Sequence, residues 1–179
     1  MRGHWVVVAL LVAAASTSLA AATFAPIKSY NQLPRLIDEA TVSPLGRAAK
    51  EKALILAFYS LDCGPCQGEL KELVPLAERP GVELWIVALI TERDEATGRC
   101  RGIDALKAKF EGHPLAPRVL VDNCANLTKR IVGRGLDALP VTVVYDPRGA
   151  VAQAQEGRPP GKTVEEALDA VLSRLGSRR

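Results

Sequence analysis

Residues 53–59, Ala-Leu-Ile-Leu-Ala-Phe-Tyr, are apolar without a break. A strand with one face in water alternates apolar and polar side chains, whereas an unbroken run of this length marks a strand covered on both faces. Such a strand needs other elements packed above and below it, which points to a sheet between layers of helices. The run 82–90 makes the same demand. Between the two, Cys66, Leu70, Leu73, Val74 and Ala77 recur at helical spacing, with Pro75 expected to end or kink the helix. Residues 30–40 read as a short helix with Leu33, Leu36, Ile37 and Ala40 on one face and Pro34 in its first turn. Further on, 98–110 reads as a helix, 118–121 as a short strand and 125–132 as a short helix. Residues 141–155 read as a hairpin about the turn Asp146-Pro147-Arg148-Gly149. In the last helix Thr163 and Glu166 form a capping box, and Gly176 closes it. The expected fold class is α/β, a mixed central sheet flanked by helices, in a single domain over 23–179.

The amino terminus runs Met1-Arg2-Gly3-His4, then eleven apolar residues (5–15), then a polar and small-residue stretch to Ala22. That is the order of a secretory signal peptide, cleaved near Ala21 or Thr23. An uncleaved anchor is the alternative, although a spanning helix needs ~20 apolar residues and Ser16-Thr17-Ser18 interrupts this one. Both readings send residues 23–179 to the periplasm or another extracytoplasmic space. The chain has 23 basic and 20 acidic residues, mostly scattered, and only 4% aromatic residues. Nucleic-acid binding therefore has neither a basic patch nor a stacking platform. All four cysteines, Cys63, Cys66, Cys100 and Cys124, lie in the exported part, where an even count permits two disulfides. A chain of this size and hydrophobicity does not need staples to fold, so at least one pair is expected to do chemistry.

Cys63-Gly64-Pro65-Cys66 falls between the first buried strand and the helix that follows. A sulfur in the first turn of a helix sits near unpaired backbone N–H groups and the positive end of the helix dipole, which favour the thiolate. The thiolate is the species that attacks a disulfide. Cys66, one turn along, is placed to resolve the mixed disulfide that Cys63 forms. Gly64 and Pro65 shape the turn without a bulky side chain over the sulfurs. A zinc site is the competing reading of Cys-x-x-Cys. It needs two further ligands from Cys100, Cys124 and His113, none of which forms a second such motif.

Residues 57–66, Ala-Phe-Tyr-Ser-Leu-Asp-Cys-Gly-Pro-Cys, resemble the active-site segment of thioredoxins, and Leu139-Pro140-Val141-Thr142 with the following turn resembles their cis-proline strand and hairpin. The resemblance spans about 30–175 and implies a thioredoxin-like fold. It implies a cis Pro140 packed beside Cys63 and a backbone at Leu139 that pairs with an extended substrate peptide. Exported bacterial members of the TlpA/ResA type are the most similar. They carry an amino-terminal signal or anchor and a helix–strand insertion, for which 91–122 has the size. They also carry a glutamate three residues after the second cysteine, here Glu69. Thioredoxins proper place an aspartate on the preceding strand, where this chain has Ala57. Glu69 is thus the candidate to take the proton of Cys66, provided burial raises its pKa. The chain departs from the family at Asp62 and Tyr59, where tryptophans are usual, at Lys71, where a helix proline is usual, and in an amino-terminal helix where TlpA-like proteins have a strand hairpin.

Cys100 and Cys124 each open an expected helix at the carboxyl edge of the sheet, so a structural disulfide between them is the first reading. Separate thiols and a second redox pair are the alternatives. Gly133-Arg134-Gly135-Leu136-Asp137-Ala138 imitates a dinucleotide-binding fingerprint but follows a helix and precedes a strand, the reverse of the required context. Asn126-Leu127-Thr128 is a sequon by letters only, and His113 reads as a surface residue. The expected activity is dithiol–disulfide exchange, in the reducing direction, on exported protein substrates such as apocytochrome c. It requires no cofactor beyond the Cys63–Cys66 disulfide, and a membrane thiol-reductant donor as partner. A peroxide-reducing enzyme, a metal-binding chaperone and a non-catalytic assembly module of the same fold are the rival functions.

Overall fold

All seven residues of β1 (Ala53–Tyr59) are buried in the computed structural model, which describes residues 33–38, 52–128, 138–157 and 162–176. Burying each of the large side chains Leu54, Ile55, Leu56 and Phe58 contributes roughly 1.5–3 kcal/mol. β1 leads into α1 (Gly64–Ala77) and then β2 (Val82–Ile90), α2 (Ile103–Phe110), β3 (Val119–Asn123), β4 (Val141–Tyr145), β5 (Val151–Glu156) and α3 (Lys162–Gly176). The sheet order is β3-β2-β1-β4-β5. β1, β2 and β3 are parallel, while β4 runs antiparallel to β1 and β5 antiparallel to β4. This is the mixed sheet expected from the sequence.

The period of two in each strand divides the core. Ile55, Ala57 and Tyr59 of β1 join Leu84, Ile86 and Ala88 of β2 on the face covered by α1, α2 and α3. Leu54, Leu56 and Phe58 join Val87 and Leu89 on the other, with Leu33, Ala125 and Leu127 packed there.

Residues 33–38 are a correction to the helix expected over 30–40. Pro34 and Arg35 form a bridge at the outer edge of β3 and the chain bends at Leu36 and Ile37: Arg35 bridges antiparallel to Leu120, the Leu36 N–H donates to the Val119 carbonyl at 2.8 Å, and the Val121 N–H donates to the Pro34 carbonyl at 2.9 Å. A helix would set Leu33 and Leu36 on one face. Here they enter opposite cores, and Ile37, expected to be inside, is 57% exposed. The supposed departure from a strand-bearing amino terminus is therefore withdrawn for these residues. Arg35 lies over Trp85 with its guanidinium 6.0 Å from the ring centroid, an arrangement favoured by the ring quadrupole.

Two helix boundaries also differ. Pro75 does not end α1, which continues to Ala77. The carbonyl that loses its donor belongs to Lys71, an exposed residue that water reaches. The helix expected from 98 begins only at Ile103. Cys100 stands before it, bridged antiparallel to Arg93 in a turn held by Asp94 and Thr97. Cys100 and Cys124 are joined in a disulfide that ties this turn to the end of β3. Cys124 and Ala125 have φ of 62° and 49°, the left-handed region, and Asp122 closes that tight turn. Its carboxylate accepts the N–H groups of Leu127 (3.1 Å) and Thr128 (2.6 Å) at the start of a helical segment.

The expected amino-terminal signal or anchor, most of the 133–138 stretch, the helix expected beyond 128 and the side chain of Thr163 lie outside the described residues.

The Cys100–Cys124 bond spans a sequence separation of 24, and closing a loop of that length stabilises by about 3 kcal/mol in the chain-entropy account. The Cys100→Ser/Cys124→Ser variant should lose about that much unfolding free energy, with a lower urea midpoint and a larger m-value because its unfolded chain is no longer held compact. An unfolding midpoint equal to that of the parent would remove the bond's stabilising role.

Candidate active site

The carboxyl end of β1 turns through Ser60, Leu61 and Asp62 and delivers Cys63 to the N-cap of α1, with φ −87° and ψ 95°. Pro65 occupies the first turn, where the absent N–H would have had no helical partner and the ring presets φ. The Cys66 N–H donates to the Cys63 Sγ at 3.2 Å, so one of the unpaired N–H groups of the helix start points at that sulfur. α1 has no acidic residue in its first turn. Asp62, next to Cys63, is exposed. Cys63 and Cys66 form a disulfide. The two sulfurs are not equivalent: Cys63 is half-buried at the surface, whereas Cys66 is 1% exposed among the residues of the α1-covered core. Gly64 and Pro65 are exposed beside them.

Across from this loop, the Leu139–Pro140 peptide bond is cis. Val141 pairs with Phe58, so the antiparallel register brings Pro140 beside Tyr59, at the exit toward Cys63. Pro140 is buried and Leu139 half-buried. Tyr59, in place of an expected tryptophan, is 1% exposed. Its hydroxyl accepts from Gln67 Nε2 at 2.6 Å, and its ring meets Phe110 of α2 edge-on. Phe110 in turn meets His113 edge-on. His113 is thus half-buried rather than a free surface residue, and its Nδ1 accepts the Leu115 N–H at 3.1 Å. Burial, with the Lys109 charge nearby, lowers its pKa.

Glu69 lies one turn beyond Cys66, on the same side of α1, and is only 5% exposed. Its Oε1 accepts from the Thr142 hydroxyl, itself 2% exposed on β4. Burial raises the pKa of Glu69. The Thr142 hydrogen bond opposes that rise, and the charge of Glu72 adds to it. Thr142 pairs with Ala57, whose methyl group leaves room over β1 for a carboxyl that arrives from the helix. Sequence reading missed Thr142 and Gln67. The signal for Thr142 was the one polar residue within Val-Thr-Val-Val-Tyr, two positions from Pro140 and hence on its face of the strand.

The raised pKa of Glu69 has a consequence for stability. Below pH 4.5, its ordinary value, the carboxyl is protonated in native and unfolded chains alike. As pH rises, the unfolded chain ionises first and the native state holds the extra proton. Stability therefore falls until the native carboxyl has ionised too. Urea titrations between pH 4 and 8 should show the wild type losing stability relative to Glu69→Gln as pH rises. A difference that stays flat would place Glu69 in water-like surroundings.

No protein-family model and no curated protein matches the sequence. Solved structures do match. A thiol:disulfide interchange protein, a thioredoxin family protein from Chlorobium tepidum TLS, is 16% identical with a TM-score of 0.61, over 84% of this chain and 96% of that one. A secreted Mycobacterium tuberculosis disulfide oxidoreductase homologous to E. coli DsbE is 16% identical with a TM-score of 0.60, over 80% and 97%. M. tuberculosis DsbF, in mixed oxidized and reduced forms, is 20% identical with a TM-score of 0.59, over 80% and 97%. The chain has the thioredoxin-like fold, with its Cys-Gly-Pro-Cys disulfide at the start of α1.

Proposed function

We propose that the chain is an exported thiol–disulfide oxidoreductase of the TlpA/ResA type that reduces protein disulfides through Cys63 and Cys66. The observation that carries this reading is the unequal burial of the bonded pair at a helix N-cap: one sulfur accessible and facing an N–H donor, the other enclosed. In the dithiol form the Cys63 thiolate attacks a substrate disulfide, forming a mixed disulfide and releasing one substrate thiol. Cys66 gives its proton to Glu69 and attacks the Cys63 sulfur. The second substrate thiolate leaves, and the protein ends oxidised by two electrons. Leu139, before cis Pro140, offers backbone groups to an extended substrate, with Gly64 and Pro65 as the floor beneath it. The Cys100–Cys124 bond serves structure.

The Gly-Pro pair between the cysteines supports the reducing direction, since it matches reducing thioredoxins near ~ −270 mV rather than the oxidant DsbA near ~ −120 mV. A reductant outside the cytoplasm must be recharged, so the partners are exported disulfide proteins and a membrane thiol donor, and the only redox group required is the cysteine pair. Secretion of the M. tuberculosis structural relative agrees with the signal-like residues 1–22.

The test is insulin reduction driven by dithiothreitol, together with equilibration of the Cys63–Cys66 pair against glutathione. Turnover should vanish in Cys63→Ala, and Cys66→Ala should accumulate mixed disulfides that the parent resolves. A potential above ~ −180 mV, in the isomerase range, would overturn the reducing direction. Absence of turnover by the folded dithiol would favour a non-catalytic docking or metal-carrying role.

A further inference from the structure

Thr142 does more in this arrangement than fill a position on β4. Its side chain points to the face of Val144 and is 2% exposed, out of reach of bulk water. A hydroxyl so placed needs an acceptor within the protein, and its proton goes to Glu69 Oε1. The carboxyl is thereby gripped from the sheet side. On the helix side it borders a groove of about 510 Å³ between α1 and α3, which Glu72, Leu76, Arg79 and Glu165 also line. The charged groups that line this groove with it are Glu72 on its own helix, Arg79 just past the end of that helix and Glu165 on α3; Arg79 pairs with Asp169 at 2.5 Å and lies 3.7 Å from Glu165. Neither β1 nor β4 presents a charge there: the residues are Ala57 and Thr142.

We propose that Thr142 is a positioning residue for proton transfer, holding Oε1 of Glu69 so that Oε2 is left to receive the proton of Cys66. The inference rests on the proton-accepting role given to Glu69 under the proposed function. A carboxyl protonated on Oε2 still accepts at Oε1, so the Thr142 bond persists in both protonation states and the group does not have to reorient as the proton arrives. The bond is stronger to the carboxylate than to the acid, because the acceptor is then charged. Thr142 therefore keeps available the basic form that burial disfavours, and it arrives two residues after Pro140 on the strand paired with β1.

The experiment is single-turnover reduction of oxidised insulin by the dithiol form of the full chain between pH 5 and 9. Thr142→Val keeps the shape and removes the donor. Its acid limb should move to higher pH, with rates on that limb about tenfold lower, as loss of one hydrogen bond to a charged group implies. Thr142→Ser, which keeps the hydroxyl, should follow the parent. Glu69→Gln should lose the limb. If Thr142→Val matches the parent while Glu69→Gln does not, Glu69 keeps its role and the positioning of Thr142 is overturned. If Glu69→Gln also matches the parent, the proton-accepting reading itself fails. Thr142→Ala, which cannot clash, is read in the same way if Thr142→Val does not fold. Failure of both to fold would make Thr142 purely structural and overturn the proposal.

Discussion

The pairing of β1 with β2 on one edge and β4 on the other organises both the core and the site. Every β1 side chain is buried, so one register slip would exchange the residues of the two core faces. The same register sets Thr142 opposite Ala57 and Val141 opposite Phe58. Residues more than eighty apart in sequence are thus aligned at the point where the chain leaves the sheet for Cys63. α1 packs over that junction and lowers Glu69 onto it. The reactive loop is exposed, but its geometry is inherited from strands that water does not reach.

Two carboxyl groups near this framework show how local donors set proton affinity. Asp146 is buried in the β4–β5 turn, where burial pushes its pKa up. The N–H groups of Ala150 and Arg148 and the Arg148 guanidinium outweigh that push and hold it below the ordinary carboxylate range. Glu69 is more deeply buried and has one hydroxyl to set against that burial, and its pKa rises. A carboxylate matched by several donors is a fixed anion that braces a turn. One matched by a single donor is able to change protonation, which suits the proton-accepting role proposed for Glu69. The buried Asp122 also takes two backbone N–H groups and holds the left-handed turn at Cys124 in place.

The segment 33–38 shows where pattern reading fails. Leu33, Leu36 and Ile37 carry the spacing of an amphipathic helix, and nothing local contradicts it. The deciding term is the free edge of β3, whose Val119 carbonyl and Val121 N–H take partners from this segment. Three or four apolar residues are too few to distinguish a period of 3.6 from two core faces filled in alternation. The longer runs of β1 and β2, the second broken only by the half-buried Glu83, were read to the residue because so long an apolar stretch has to be covered on both faces. Cys100 was misplaced for a related reason: the turn from 93 to 100 is held by side chains such as Asp94 and Thr97, which carry no periodic signal.

By itself the sequence determined the sheet-between-helices architecture and the cysteine pair at a strand–helix junction. These follow from patterns within single elements: apolar runs, helical spacing and the preference of proline for a helix start. Glu69, the carboxyl one turn below, was singled out by the family resemblance. Tertiary structure alone decided that the hydroxyl of Thr142 reaches Glu69 and that Leu33 and Leu36 enter opposite cores, and it chose the disulfide among the readings the sequence left open for Cys100 and Cys124. Each of those depends on the register between strands and on how helices settle on the sheet. Such long-range pairings are chosen by the burial and hydrogen bonding of the whole fold, and no short stretch of residues encodes them.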